Sequence, residues 1–126
     1  MKYLLDSNII IRALLASGEV LRERMAACEE GDVVTSAIAY AEVVFGSRNG
    51  KPPEPEQLEG FLEEIPVLDF DLAAARAYAS LPFRRASYDR LIAAHAFSRG
   101  LTVVTDNVAH FADVPNLKVE NWTLPA

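Results

Sequence analysis

The chain has 126 residues, of which 51% are hydrophobic and 24% charged; this composition predicts one folded domain over residues 1–126 and excludes a disordered chain. Its single cysteine, Cys28, excludes an internal disulfide and a cysteine-based zinc cluster, and its helix-like surroundings favour a small core residue. The net charge of -6 argues against nucleic-acid binding through overall charge, so a nucleic acid would have to meet a local basic patch or a metal.

Hydrophobic run lengths bear on the location of the protein. No apolar run approaches the roughly 20 residues that span a bilayer. The first apolar run is interrupted at Asp6, which is too soon for the hydrophobic region of a signal peptide. We therefore expect a cytoplasmic protein with no membrane partner.

Short strand-like runs alternate along the chain with longer runs of helical spacing. The predicted strands cover residues 2–5, 32–35, 66–68, 101–104 and 117–119. The predicted helices cover residues 9–16, 19–30, 37–45, 56–64, 72–81 and 88–99, with a short helical turn around 108–111. The predicted helix caps are Asn8, Ser36, Asp71 and Ser87. This alternation predicts an α/β sandwich with a mainly parallel central sheet flanked by helices, and the Pro- and Gly-rich residues 46–55 form an exposed loop.

Four carboxylates lie where such a sheet would bring them together. Asp6 and Asp106 follow predicted strands, Asp89 is in the first turn of a helix, and Glu42 lies on the helix after the second strand. Ligands of open parallel sheets bind outside the carboxyl ends of the strands, so all four could converge on one rim. Taken singly, Asp6, Asp89 and Asp106 also fit ordinary structural roles, as a turn residue, a first-turn helix acid and a turn partner of Asn107.

Glu42 is the strongest of these candidates. It is the only charged residue between Val33 and Phe45, and a buried carboxylate is costly unless it is paired or bound to a cation. Clustered carboxylates stay ionised together only around a cation. An all-oxygen set of this kind suits Mg²⁺ or Mn²⁺ better than zinc, and Mg²⁺ also takes phosphate oxygens, which points to phosphoester chemistry.

Other polar residues support no competing chemistry. His95 lies in an alanine-rich helix and is expected to be a hydrogen-bonded packing residue, while His110, near the surface end of a short turn, receives no role. Ser7 has no histidine nearby in sequence and no nucleophile-elbow glycines, so a serine hydrolase is disfavoured. The chain also lacks a phosphate-cradling glycine motif.

Five segments carry a family resemblance that spans nearly the whole chain. They are residues 4–9 (LLDSNI), 35–43 (TSAIAYAEV, followed by Gly46), 88–95 (YDRLIAAH), 100–107 (GLTVVTDN, followed by Phe111) and 115–122 (PNLKVENW). As an ordered set they resemble the PIN-domain ribonucleases, specifically the VapC toxins of bacterial and archaeal toxin–antitoxin pairs.

The resemblance implies a PIN-like three-layer sandwich and a Mg²⁺-dependent endoribonuclease that leaves a 5′-phosphate and a 3′-hydroxyl. It implies Asp6, Glu42 and Asp89 as acids around the metal, with Asp106 near the fourth position. The family's fourth acid commonly stands two residues after the Thr, where this chain has Asn107, so Asp106 could reach the metal directly or through water. The implied supporting polar groups are Ser7, Asn8, Thr105 and Asn107.

Basic residues near the acids are candidates for contacts with RNA phosphates at the rim, although most surface arginines are simply solvated. These candidates are Arg48, Lys51, Arg84, Arg85 and Arg90.

Two rival functions were weighed against the nuclease. A phosphorylated receiver domain needs an acidic pair in its first loop and a late lysine, whereas here the first strand ends in Asp6 alone and the lysines are Lys2, Lys51 and Lys118. A non-catalytic PIN-fold module that binds RNA or protein stays open, with Asn107 as its main support.

The expected partners are an RNA substrate, a second copy in a homodimer and a small VapB-like antitoxin, the last supplied by the resemblance. Large apolar side chains on the second and fourth predicted helices favour a residual groove for a partner helix, because so small a domain will not bury both helices fully. These residues are Val20, Leu21, Met25, Leu58, Phe61 and Leu62. The acidic pocket would attract a basic segment of that partner.

Overall fold

The computed structural model describes residues 1–15, 17–82 and 87–124. Five strands form one fully parallel sheet in the order β3-β2-β1-β4-β5. The strands are β1 (Tyr3–Leu5), β2 (Val33–Ser36), β3 (Val67–Leu68), β4 (Thr102–Val104) and β5 (Val119–Glu120). The helices are α1 (Ser7–Ala13), α2 (Glu19–Ala26), α3 (Ala37–Arg48), α4 (Pro55–Glu64), α5 (Leu72–Ser80) and α6 (Tyr88–Arg99), followed by a 3-10 helix, Val108–Phe111. The predicted α/β sandwich is confirmed, and its sheet is parallel throughout rather than mainly.

The strand order places a switch point beside the central strand. β1 pairs with β2 on one side and with β4 on the other. From β1 the chain adds β2 and then β3 toward one edge, and it then crosses to β4 and β5 on the opposite side. With right-handed crossovers, α1–α4 cover one face and α5–α6 cover the other. A cleft therefore opens at the carboxyl ends of β1 and β4, which is where ligands bind in sheets of this kind.

The core lies between the sheet and these helices. Its fully enclosed side chains come from the central strands and from the helix faces packed on them, among them Leu4, Ile9, Val34, Ile92 and Val103. The strands carry apolar side chains on both faces because helices cover both sides of a parallel sheet. The first polar residues after β1 and β4 are thus held rigidly by the core.

Several predicted boundaries were wrong for local reasons. α1 begins at Ser7 with Asp6 as its N-cap, not at residue 9 with Asn8 as the cap, and it ends at Ala13; Ala16, the predicted end, lies outside the described residues. α2 ends at Ala26 instead of residue 30. α3 continues to Arg48, past the predicted end near Phe45, so the loop before α4 is shorter than predicted.

The C-terminal elements follow the prediction more closely. Ser36, Asp71 and Ser87 cap α3, α5 and α6 as predicted, each accepting a hydrogen bond from a backbone N–H of the first turn. Gly100 ends α6 in the left-handed region with φ 66°, which suits a residue without a Cβ. β5 begins two residues later than predicted because Asn116, at φ 63°, turns the chain first.

None of the helices in the described part of the chain is both long enough and apolar enough to cross a membrane.

Candidate active site

Asp6 is the enclosed carboxylate at the centre of the cleft, with a relative exposure of 1%. The Thr105 hydroxyl donates a hydrogen bond to its Oδ2 at 2.9 Å, and the backbone N–H of Ser7 donates to its Oδ1 at 2.8 Å. Nδ2 of Asn8 lies 3.4 Å from Oδ2. Thr105 follows β4, so the pairing of β1 with β4 is what brings it to Asp6. Both oxygens of Asp6 are therefore fixed in direction.

The other acids of the cleft act on Asp6 electrostatically. Burial raises the pKa of Asp6 above its usual value, and the negative charges of Asp89 and Asp106 raise it further. The hydrogen bonds from Thr105 and Ser7 oppose this rise in pKa. Asp89 and Asp106, which lie 83 and 100 residues further along the chain, are thus near enough in space to influence the same carboxyl group.

Glu42 is a desolvated carboxyl group on α3 that faces the same cleft. Burial raises its pKa from 4.5 to about 7, with further contributions from the charges of Asp6 and Asp89 and an opposing hydrogen bond from the Ser7 side chain. Its Oε1 is buried without a hydrogen-bond partner in the described structure, and so is Oδ1 of Asn8. Two oxygen acceptors of the cleft therefore lack a donor, which is costly unless a cation or water meets them.

Asp89 lies in the first turn of α6 and is bound by a histidine. Nδ1 of His110 donates to Oδ2 of Asp89 at 3.0 Å. No role was predicted for His110, because its partner is 21 residues away and the two residues meet only when the 3-10 helix packs beside α6.

Asp106 is held by an arginine from the other end of the chain. Nε of Arg12, on α1, donates to Oδ2 of Asp106 at 2.8 Å. Asn107 contributes through its backbone, whose N–H donates to Oγ1 of Thr105 at 3.0 Å, while the residue itself is exposed. Asp106 and Asn107 thus support the cleft in different ways, one through Arg12 and the other through Thr105.

The donor set fits a hard divalent cation, although the carboxylates stand apart in this structure. Within residues 1–15, 17–82 and 87–124, no three Asp, Glu, His or Cys side chains are close enough to hold one metal ion as they stand. Arg12 and His110 each hold one of these carboxylates by a hydrogen bond. The unpaired oxygens of Glu42 and Asn8 are of the type that Mg²⁺ and Mn²⁺ prefer.

The predicted rim cations have other surroundings. Arg90 lies 3.5 Å from Asp113 in an ion pair. Arg48 is exposed at the end of α3, and its positive charge opposes the rise in the pKa of Tyr40. Lys51 is exposed, and no ion pair joins it to an acid in the described part of the chain. Two predicted rim residues lie outside the described residues: Arg84 and Arg85.

His95 and Cys28 have the structural roles that the sequence indicated. His95 is fully buried, its Nδ1 lies 2.7 Å from Oγ of Ser36, and burial lowers its pKa, so the ring is a neutral packing group. Cys28 is partly buried against the core, its Sγ contacts the backbone oxygen of Arg24 at 3.5 Å, and burial raises its pKa, which disfavours a thiolate nucleophile.

Sequence reasoning missed Arg12 and underrated His110. A usable signal existed for Arg12, which is four residues after Asn8 and therefore shares its face of α1. Nothing in the sequence showed that this face would meet the residue after β4. Long-range ion pairs depend on the tertiary fold, so spacing along the chain could not reveal them.

A second feature, away from the acids, is a groove of about 660 Å³ between α2 and α4. Met25, Phe61 and Ile65 contribute apolar surface to it. Its lining also includes four glutamates: Glu29, Glu30, Glu63 and Glu64. The groove lies between the two helices on which the sequence predicted incomplete burial, although Leu21, Leu58 and Phe61 are themselves buried.

Comparison with known proteins places the chain in a family. The PIN-domain family model matches residues 3–117. The chain is 33% identical to the tRNA(fMet)-specific endonuclease VapC of Shigella flexneri, with 98% of this chain and 99% of that protein covered. It is 30% identical to ribonuclease VapC2 of Rickettsia felis, over 97% of this chain and 98% of that protein.

Solved structures show the same fold over the same length. DNA-bound VapBC from Salmonella typhimurium has a TM-score of 0.83 and 32% identity, and the match covers 97% of this chain and 98% of that one. VapBC2 from Rickettsia felis, bound to a promoter DNA fragment, has a TM-score of 0.80 and 30% identity, over 97% and 99% of the two chains.

Proposed function

This chain belongs to the PIN-domain family and to its VapC-type ribonuclease toxins, and on that premise we propose that its acidic cleft is a Mg²⁺-dependent centre for RNA hydrolysis. Asp6, Glu42 and Asp89 would hold the metal, with Asn8 as a neutral oxygen donor. Mn²⁺ has the same ligand preference and is expected to substitute. The toxin would act in the cytoplasm, where RNA is its substrate.

The observation that supports this proposal most strongly is the state of Glu42. Its pKa rises to about 7 through burial and through the charges of Asp6 and Asp89, while its Oε1 has no donor. A purely structural carboxylate would be paired or solvated. Glu42 has one buried oxygen without a donor and lies near two other carboxylates, an arrangement that suits a cation ligand.

Different residues of the cleft have different roles in the proposed reaction. Thr105 and Ser7 fix both oxygens of Asp6, so this ligand keeps its direction without a metal. Glu42 holds a proton on its carboxyl group in part of the molecules near pH 7, and as a metal ligand it would act in its ionised form. When bound, the metal supplies charge stabilisation at the scissile phosphate and an oriented, more acidic water. Asp106 is engaged with Arg12.

The test is Mg²⁺-dependent cleavage by the wild type and by Asp89→Asn. The variant keeps the size of the side chain and removes one charge, so cleavage should fall by at least about 100-fold with an unchanged circular dichroism spectrum. Asp113→Asn, the same change at an exposed carboxylate paired with Arg90, is the control and should cleave normally. Equal cleavage by Asp89→Asn and wild type would refute the site. A folded wild type that binds RNA but cleaves none would favour the non-catalytic module.

For the substrate we take initiator tRNA as the first candidate. Support comes from two relatives, each 33% identical and covered almost completely, whose names specify tRNA(fMet). An initiator tRNA transcript should be cut faster than elongator tRNAs and an unstructured RNA of equal length. Faster cleavage of another RNA would leave the nuclease proposal intact and correct the substrate.

We propose that the groove between α2 and α4 is the binding site of a VapB-like antitoxin. The similar structures are VapBC toxin–antitoxin complexes. The apolar floor and the glutamates suit an amphipathic helix with basic residues. Phe61 is buried, so Glu63→Lys and Glu64→Lys are the better probes: the charge reversals should abolish co-purification with the antitoxin while RNA cleavage continues. Retained binding by the double variant would refute this location.

We also expect the toxin to be a homodimer. Light scattering of the purified protein tests this, since a single species of one-chain mass at micromolar concentration would contradict it.

A further inference from the structure

Arg12 is anchored at the mouth of the acidic cleft by a single side-chain contact. Its Nε donates to Oδ2 of Asp106 at 2.8 Å, and Asp106 is the only partner of the Arg12 side chain among the residues that the structure describes. The Arg12 side chain is 52% exposed, whereas that of Asp106 is 20% exposed. The carboxylate thus holds the Nε edge of the guanidinium on a side chain that is about half exposed.

Stability alone is a weak reason for such a contact. Ion pairs with one exposed partner contribute roughly 0–1 kcal/mol. The contact does, however, fix a long side chain that would otherwise sample many rotamers. A guanidinium held through Nε presents its two terminal nitrogens in one plane, which is the geometry that binds two oxygens of a phosphate.

The location of Arg12 also places its positive charge beside the acids of the cleft. Asp106 acts on the pKa of Asp6, so the guanidinium bound to Asp106 is beside the centre of the cleft. Arg12 and His110 each contact a cleft carboxylate, and the guanidinium of an arginine is a fixed cation.

We propose that Arg12 binds a backbone phosphate of the RNA next to the scissile one, and that Asp106 is the positioning residue that orients it. This inference rests on the proposed function in one respect, that RNA is what enters the cleft. It gives Asp106 a role other than metal ligand, and this role explains why an acidic residue precedes Asn107. The chain has a net charge of -6, so a fixed cation at the mouth of the cleft favours approach of a phosphate that the bare carboxylates would repel.

The experiment measures RNA binding separately from cleavage. A fluorescein-labelled initiator tRNA transcript is titrated with protein in the Asp89→Asn background, by anisotropy, at several salt concentrations, once with Mg²⁺ and once with EDTA. Arg12→Gln should weaken binding about 5- to 10-fold. It should also lower the slope of log K against log salt by about 0.7 to 0.9, the contribution of one phosphate contact.

Two further variants separate position from charge. Arg12→Lys keeps the charge and loses the planar donor pair, so the salt slope should stay while affinity falls about threefold. Arg99→Gln removes the same charge at the C-terminal end of α6, where Arg99 contacts Met1 just before the central strand β1, and should change neither quantity.

Asp106→Ala separates two possible roles of Asp106, because they predict opposite changes in the affinity for RNA. If Asp106 were only one more negative charge, its removal in EDTA would strengthen RNA binding. If it positions Arg12, its removal weakens binding, and the double variant with Arg12→Gln is no weaker than Arg12→Gln alone. The EDTA arm excludes an effect through a bound metal.

The outcomes are distinct from those that test the nuclease. An Arg12→Gln protein with unchanged affinity and salt slope, or an Asp106→Ala protein that binds RNA more tightly in EDTA, would overturn the inference even if the wild type cleaves RNA. Absence of RNA binding by the parent at low salt would also overturn it. A wild type that cleaves nothing but binds RNA through Arg12 would refute the proposed hydrolysis and leave this inference standing.

Discussion

Replacing Glu42 by Gln is expected to stabilise the metal-free protein at pH 8 and to change it little at pH 5. The folded protein raises the pKa of Glu42 from 4.5 to about 7, so the unfolded chain gives up this proton first. As pH rises from about 4.5 to about 7, the wild type therefore loses stability that the neutral Gln variant keeps. The Glu42→Gln variant should also lose metal-dependent cleavage of RNA, because it lacks the charged carboxylate.

The magnitude follows from the same pKa. Each pKa unit corresponds to about 1.4 kcal/mol, so the rise from 4.5 to about 7 sets an upper limit of about 3.5 kcal/mol on the stability lost at pH 8. Glu42 is only partly buried, and solvent screening reduces the expected gain of the Gln variant to about 1 to 2 kcal/mol. For a domain of this size the melting temperature should rise by about 4 to 8 °C.

The assay is thermal unfolding in EDTA between pH 5 and pH 8. Glu59→Gln, the same substitution at an exposed position of α4, is the matched control and should show no pH-dependent difference. His95 contributes in the opposite direction, since its lowered pKa costs stability as pH falls through about 6.5, but this contribution cancels between variants. A Glu42→Gln protein that melts below the wild type at pH 8 would show that the carboxylate is ionised and paired, and the reasoning would be wrong.

Three further results are expected. Thr105→Val keeps the shape of the side chain but removes the 2.9 Å hydrogen bond to Asp6. The free energy of unfolding in urea should therefore fall by about 1.5 to 3 kcal/mol, and calorimetry should show a weaker affinity for Mn²⁺. If neither quantity changes, Thr105 does not position Asp6. Mg²⁺ or Mn²⁺ at about 100 times its dissociation constant should stabilise the wild type by about 2.7 kcal/mol, and an equal gain in Asp6→Asn would place the metal elsewhere. His110→Ala should change the free energy of unfolding by less than about 1 kcal/mol, because the contact with Asp89 is exposed; a larger loss in urea would mean that the pair is structural.

The fold was predictable where local signals and the global pattern agree. Ser36, Asp71 and Ser87 each stand one residue before a helix, and each side chain accepts a hydrogen bond from the backbone in the structure. The end of α2 was not predictable in this way, because helical spacing continues to Cys28 while the chain has already turned toward β2. The order of the strands likewise depends on crossovers, which no local pattern records.

In the candidate site, too, some residues could be predicted from local sequence signals and others depend on the tertiary fold. Asp6 and Asp106 could be selected because each follows a strand, and Glu42 because a charge interrupts an apolar helix. The partners of these acids are set by side-chain contacts across 21 to 99 residues, which depend on helix packing and rotamers. The carboxylates and the polar partners of Asp6 (Ser7, Asn8 and Thr105) were predicted from the sequence. Arg12 and His110, which hold Asp106 and Asp89, were not.

Charge counting explains how so acidic a protein can admit RNA. Asp6, Glu42, Asp89 and Asp106 carry a formal charge of about -4 when ionised, and Arg12 reduces it to about -3. The raised pKa of Glu42 removes part of one further charge near pH 7, and one divalent cation brings the ionised site to about -1. The lining of the α2–α4 groove includes four glutamates and Arg22. In the proposed arrangement, RNA would bind at the cleft and a basic partner helix in the groove. RNA affinity should accordingly rise with Mg²⁺ in the Asp89→Asn protein, while antitoxin affinity should not; the reverse dependence, measured by anisotropy for both ligands, would contradict this division of the surface.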